Sequence, residues 1–110
     1  MKKGKNDQYY QPFVPLGKGM IFNCQEWKEF SPAARDIYIM LKAKYNRKNN
    51  GEICLYYSEL KKIKGLRNQR TISKGFKELE EKEWIERSID GGLFRIPKKY
   101  KLTGKYDTHL

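Results

Sequence analysis

The sequence predicts an α+β domain: a three-helix core, one short strand and a two-stranded hairpin, behind an N-terminal extension. Three observations predict it. Ser31–Lys44 and the stretch starting at Asn68 carry apolar residues at three- and four-residue spacing, as helices with one buried side do. Between them, Ser58–Lys64 offers a shorter helix that Gly65 can end, because glycine takes a positive φ cheaply. Downstream, two β-prone runs flank Asp90-Gly91-Gly92, and a glycine-bearing turn between such runs is a hairpin signal.

In chain order, residues 1–11 are polar and basic and lack a core pattern, so a flexible arm is expected. The folded domain is expected over residues 12–101. Pro12–Phe22 is apolar but broken by Pro and Gly, which suits an extended lead-in or edge strand with Phe13, Val14 and Leu16 over the core. Asn23–Phe30 reads as a short helix capped by Asn23, with Trp27 and Phe30 as anchors. Ser31 caps the first long helix and Pro32 takes its first position. Ala34, Ile37, Tyr38, Leu41 and Tyr45 form its buried stripe. Asn50-Gly51 supplies the turn that follows, with Arg47 and Lys48 on the exposed loop. Ile53–Leu55 is a strand candidate. Leu60 and Ile63 face inward from the next helix, and Leu66 plugs the turn after it. Asn68 caps the last helix, whose inner side is Ile72, Gly75, Phe76 and Leu79. Trp84–Ile96 forms the hairpin and Pro97 ends it. Residues 102–110 form a tail without a pattern. The order helix, short strand, helix, turn, helix, hairpin makes a winged helix-turn-helix.

Composition bounds the partners. The chain has 110 residues and a formal net charge of +11. From Lys42 to Lys77 eleven Lys/Arg stand against two Glu. From Glu78 to Glu86 five Glu stand against Lys82 alone, and this acidic run reads as a solvated shoulder. A basic middle beside an acidic shoulder is the pattern of an oriented polyanion-binding face. No apolar run is long enough to span a bilayer, and no apolar stretch follows the basic N-terminus, so a cytoplasmic chain is expected. Cys24 and Cys54 do not pair with His109 at zinc-ligand spacing, so neither a metal nor another cofactor is expected. No Ser/His/Asp or Cys/His arrangement is present, which argues against an enzyme and a small-molecule substrate.

The candidate site is the outer side of the last helix. Arg70, Ser73, Lys74 and Lys77, with Gln69 at the entrance, oppose the apolar stripe. Such a helix fits a DNA major groove, where Arg pairs with guanine and Gln with adenine in bidentate geometry. Tyr57, Ser58, Lys61 and Arg67 flank it and are expected to meet phosphates, which set register without reading sequence. Arg87 and Arg95 on the hairpin are expected to lie along the backbone or in the minor groove.

The segments FSPAARDIYIMLKAKYNRKNNGEICLYYSEL and QRTISKGFKELEEKEWIER resemble the winged-helix domains of phage and plasmid replication initiators. The resemblance runs from Phe13 to Lys101. A broader likeness to MarR-type transcription regulators covers Ser31–Ile96. It implies sequence-directed binding of double-stranded DNA, often as a homodimer on repeated or palindromic sites, in replication initiation or transcription regulation of a mobile element. One departure stands out: Glu83 occupies the place of a small Gly that commonly takes a positive φ before the wing. No ATPase or primase motif occurs within the 110 residues. The leading alternative is a protein-interaction winged helix whose basic face meets an acidic partner, with Trp27, Trp84 and the tyrosines as interface residues. RNA binding is the weaker rival, because no RNP or GxxG signature accompanies the tyrosines.

Overall fold

The computed structural model describes residues 13–89 and 99–107. The arm at residues 1–11, the Asp90–Gly92 turn, Arg95, Pro97 and His109 lie outside the described residues. Within them the chain is a small α+β domain of five helices and a two-stranded antiparallel sheet: α1 Lys18–Asn23, α2 Gln25–Glu29, α3 Pro32–Lys44, α4 Tyr57–Leu60, α5 Gln69–Glu81, β1 Ile85–Ile89 and β2 Lys99–Leu102. Among the described residues no helix is long and apolar enough to cross a membrane.

The two long helices start where their caps put them. Ser31 Oγ accepts from the Ala34 amide at 3.2 Å, and Asn68 Oδ1 accepts from the Arg70 amide at 2.8 Å. Each cap satisfies one amide that the first helical turn leaves without an internal partner. The helices cross at Gly75. A Cβ placed there meets Ile37 Cδ1 at 2.7 Å and the Ala34 backbone nitrogen at 3.3 Å, so any larger residue requires the Ile37 side chain to move and the two helices to part by a few tenths of an ångström. Glu78 then clamps the crossing, accepting from the Ser31 amide at 2.9 Å and the Ser31 hydroxyl at 2.6 Å. Its carboxylate also lies at the positive end of α3. Ile72 and Leu79 are buried with Gly75, whereas Phe76 is only half-buried and stacks on Tyr100 with ring centroids 4.8 Å apart.

Several expectations need correction. Residues 18–23 are helical rather than extended, and Phe13 is 84% exposed instead of lying over the core. Met20 faces inward while Phe22, two residues on, faces out, and a strand would put both on the same side. The second helix begins at Gln25 with Cys24 at its cap, not Asn23, while Trp27 and Phe30 are buried as expected. The helix expected over Ser58–Lys64 stops at Leu60. From there the chain tightens through Ile63 N–H to Leu60 O at 3.0 Å and Leu66 N–H to Ile63 O at 2.9 Å. These three-residue closures, with Gly65 at φ +94°, drop Leu66 to full burial. Finally, the strand paired with β1 is Lys99–Leu102, C-terminal to Pro97, with Ile85 opposite Leu102 and Arg87 opposite Tyr100. Alternation selects it: Tyr100 and Leu102 point into the core and Lys101 faces out. Ile53 joins β2 through a single bridge to Tyr100 in place of a three-residue strand.

Residues 102–107 are the larger surprise, because the tail has a fixed place. Asp107 Oδ2 accepts from Lys42 Nζ at 2.6 Å and from the Tyr38 hydroxyl at 2.7 Å, while Lys42 Nζ also donates to Pro15 O at 2.5 Å. The two charged side chains are 1% and 0% exposed. Burial, reinforced by the Asp107 carboxylate, pushes the Tyr38 hydroxyl far above the ordinary phenol value. One clasp therefore fixes the lead-in, α3 and the C-terminal segment together. Nearby, Trp84 meets Phe30 and Tyr38 edge-on at 5.2 and 5.3 Å, and its indole N–H donates to Glu26 at 2.8 Å.

The end of α5 answers the departure at position 83. Glu83 adopts φ +62°. Its amide donates to Glu80 O at 3.0 Å and the Trp84 amide donates to Leu79 O at 2.9 Å, the paired closure of a Schellman motif. A non-glycine residue holds the left-handed conformation that the turn into β1 requires.

Two stability outcomes follow. Asp107→Ala strands a buried ammonium and is expected to cost about 3–5 kcal/mol in urea unfolding; replacing Lys42 and Asp107 together by Met and Leu recovers most of that loss. Glu83→Gly removes a left-handed strain of about 1–2 kcal/mol but loosens the unfolded chain by about 0.4–1, so a net gain of about 0.5–1 kcal/mol is expected. No gain, or a loss, would mean that the turn carries no such strain.

Candidate nucleic-acid interface

The outer face of α5 is set by the crossing beneath it. With Ile72, Gly75 and Leu79 facing α3, the positions between them must face solvent at 3.6 residues per turn. Gln69, Arg70, Ser73, Lys74 and Lys77 are all exposed. They run as one strip from the capped N-terminus of α5 down about two turns. Lys77 approaches Glu81 at 4.0 Å, a loose exposed pair that leaves its side chain 74% exposed. Such pairs are worth little and do not immobilise the ammonium.

The flanking residues gather at the entrance to this strip. The Tyr57 hydroxyl donates to Arg67 O at 3.0 Å, so the start of α4 is tied across the turn to the residue before the α5 cap. Lys61 Nζ lies 5.7 Å from the Tyr57 ring centroid. Ser58, Lys61 and Arg67 are exposed beside Tyr57. The seven-residue turn of chain between α4 and the cap therefore brings Tyr57, Ser58, Lys61 and Arg67 into one cluster at one end of the α5 face.

The hairpin contributes differently. Arg87 reaches back to α5, donating to Glu80 Oε1 at 3.0 Å. Its guanidinium is thus oriented along the helix–hairpin junction. Arg95 lies outside the described residues. Lys101 is exposed on β2, and Lys99 pairs with Glu52 at 3.5 Å.

The basic stretch read from the sequence is therefore thinner than its count. Lys42 is buried in the clasp with Asp107, and Lys44 pairs with Glu59 at 2.6 Å. Lys44 donates to Glu59 and the Tyr56 amide donates to it as well, which together hold the Glu59 carboxyl below its ordinary value. The acidic shoulder is equally changed. It is not simply solvated: Glu78 clamps α3 and Glu80 holds Arg87. What remains outward over the first two turns of α5 is cationic and amide-bearing, with Glu81 exposed at its end. The two tryptophans counted toward a protein interface, Trp27 and Trp84, are in the core instead, 6% and 1% exposed, while Tyr56, Tyr57 and Tyr106 stay on the surface.

Sequence reasoning missed a groove beside this strip. It lies between α5, the start of α4 and the sheet, has a volume of about 650 Å³, and has Phe76 and Tyr100 at its floor. The adjacent tyrosines Tyr56 and Tyr57, 49% and 42% exposed, stand on its wall. Their doublet was the available signal. Among the described residues no cluster of three or more His, Cys, Asp or Glu could hold a metal ion.

No family model, curated protein or solved structure matches the chain. The chemistry of this face therefore rests on its own residues.

Glu80 tempers the face by holding Arg87. Glu80→Gln removes one negative charge and weakens the Glu80 hold on Arg87 from a charged pair to a neutral hydrogen bond. The variant is expected to elute from heparin at higher salt than the parent; unchanged elution would mean that Arg87 and its surroundings contribute nothing to polyanion binding.

Proposed function

We propose that this chain is a winged helix-turn-helix protein that binds double-stranded DNA in a sequence-directed way. The observation that carries the reading is the division of α5: Ile72, Gly75 and Leu79 are buried while Gln69, Arg70, Ser73, Lys74 and Lys77 are exposed on the opposite side. The element order supports it. A long helix, a bridged residue at Ile53, a short helix, a turn, a capped second long helix and an antiparallel hairpin follow in that sequence. α4 and α5 then form the helix-turn-helix, and β1 and β2 form the stem of the wing.

In this reading α5 lies in the major groove. Arg70 and Gln69, in its first turn, approach base edges, and Ser73, Lys74 and Lys77 contact flanking bases and phosphates. Tyr57, Ser58, Lys61 and Arg67 meet the backbone at the helix entrance and set register. Arg87, with Arg95, follows the backbone beside the wing. The chain's net charge of +11 supplies long-range attraction that is independent of sequence. The resemblance to replication-initiator domains gives the setting: replication initiation or transcription regulation of a phage or plasmid, on repeated or palindromic sites bound by two copies.

Selection of bound sequences from a random duplex pool tests specificity, and a palindrome with half-sites one helical turn apart would reveal a dimer. On the selected site, Lys74→Ala is expected to weaken binding to all duplexes and to lower the slope of log affinity against log salt by about one. Arg70→Ala is expected to relax preference at one base pair, a loss of about 1–3 kcal/mol of discrimination. Anisotropy titrations over a salt series read both, and unchanged affinity and preference in Arg70→Ala would exclude α5 as the reading helix.

A further inference from the structure

The groove beside α5 carries aromatic side chains, Tyr56, Phe76 and Tyr100, that the duplex reading leaves unused. At its floor Phe76 and Tyr100 are stacked with planes 15° apart. On its wall Tyr56 and Tyr57 are two of the few large hydrophobic side chains left exposed among the described residues. Two ammonium groups stand over these tyrosines: Lys44 Nζ, itself paired with Glu59 at 2.6 Å, lies 5.6 Å from the Tyr56 centroid, and Lys61 Nζ lies 5.7 Å from that of Tyr57. Gln69 and Ser73 add an amide and a hydroxyl to the lining, on the α5 side. The two acids of the lining are both engaged, Glu80 by Arg87 at 3.0 Å and Glu81 by Lys77 at 4.0 Å. The volume of about 650 Å³ lies within the range of about 300–1,000 Å³ usual for small-ligand sites.

We propose that this groove takes an unpaired nucleobase, from a DNA strand that runs off the end of the duplex held by α5. The inference rests on the duplex reading above for the position of that strand. Three features select a base over an apolar peptide. The walls are flat aromatic rings, on which any base can stack. Lys61, over the Tyr57 ring, supplies a cation for the phosphate of a nucleotide stacked on the neighbouring rings. Hydrogen-bonding groups of Gln69 and Ser73 face the same space, as a base edge requires and an aliphatic side chain does not. The groove is also continuous with the α5 strip, because Gln69, Ser73 and Lys77 belong to both. A strand leaving the major groove along that side would reach it without a break.

The test compares a blunt duplex, the same duplex with a short thymidine overhang, and the same duplex with an overhang of abasic sugar-phosphate. Parent protein is expected to bind the thymidine overhang about tenfold more tightly than the blunt duplex, and the abasic overhang no better than blunt. Tyr56→Ala, at an exposed position, and Phe76→Leu, which keeps bulk but removes the ring, are expected to abolish that gain with blunt-duplex affinity unchanged. Emission from the buried Trp27 and Trp84 reports whether either variant is folded. An abasic overhang as good as thymidine, or a full gain retained in folded Tyr56→Ala and Phe76→Leu, overturns the proposal. Blunt-duplex binding with no gain from thymidine also overturns it and leaves the duplex reading standing. Tyr56-dependent binding of a thymidine oligonucleotide without any blunt-duplex binding supports the groove and removes the duplex reading instead.

Discussion

The crossing of α3 and α5 at Gly75 is the contact on which the rest of this molecule depends. Missing one Cβ lets α5 close onto the Ala33–Ala34 backbone and the Ile37 methyl. The bidentate hold of Glu78 on Ser31 then fixes the rotation of α5 about its own axis. Rotation is the quantity that matters for function. A turn of one residue position, about 100°, would carry Arg70, Lys74 and Lys77 from solvent toward the core. The apolar stripe alone leaves some slack, because Phe76 is only half-buried. The close approach and the carboxylate clamp remove it.

The same logic explains which parts of the molecule could be read from the chain. Caps, a positive-φ glycine and a buried plug are local chemistry, and Ser31, Asn68, Gly65 and Leu66 behave as their types require. The α5 face was legible because its periodicity is strong on both sides. What stayed hidden was non-local. Asp107 looks like a solvated tail residue until Lys42, 65 positions away, is placed against it. Glu78 and Glu80 look like part of a charge run until α3 and β1 supply their partners. The second strand was hidden for another reason: Lys99 and Lys101 mask the Tyr100–Leu102 alternation, and Pro97 suggests an end where β2 has yet to begin.

Charge on this protein is therefore divided between work inside the fold and work outside it. Lys42 and Asp107 are buried with every polar atom engaged, an arrangement that favours one geometry over others more than it adds net stability. Glu78, Glu80 and Glu59 orient a helix terminus, an arginine and a lysine. Removing these from a count of charges leaves a smaller set of outward cations than the sequence suggests, with Arg87 held in place by Glu80. For recognition that exchange is favourable, since a positioned guanidinium loses less freedom on binding than a mobile one.

The exit from α5 completes the geometry. A helix followed by a hairpin can send its strand in many directions, and only one lets Tyr100 arrive under Phe76. The left-handed turn at Glu83 chooses it. With the Glu83 and Trp84 amides returned to Glu80 and Leu79, the chain reverses within two residues. Trp84 is thereby driven into the aromatic core, and Thr103, just past β2, donates its hydroxyl to Glu83 O at 2.7 Å, locking the reversal from outside. The β1–β2 stem is then held against α5 rather than splayed from it. The space left between them is the groove: its width is set by this turn on one side and by the Gly75 crossing on the other. The proposed duplex face and the proposed base pocket can share α5 because two backbone constraints, one close approach and one positive φ, fix the helix between a core and a hairpin.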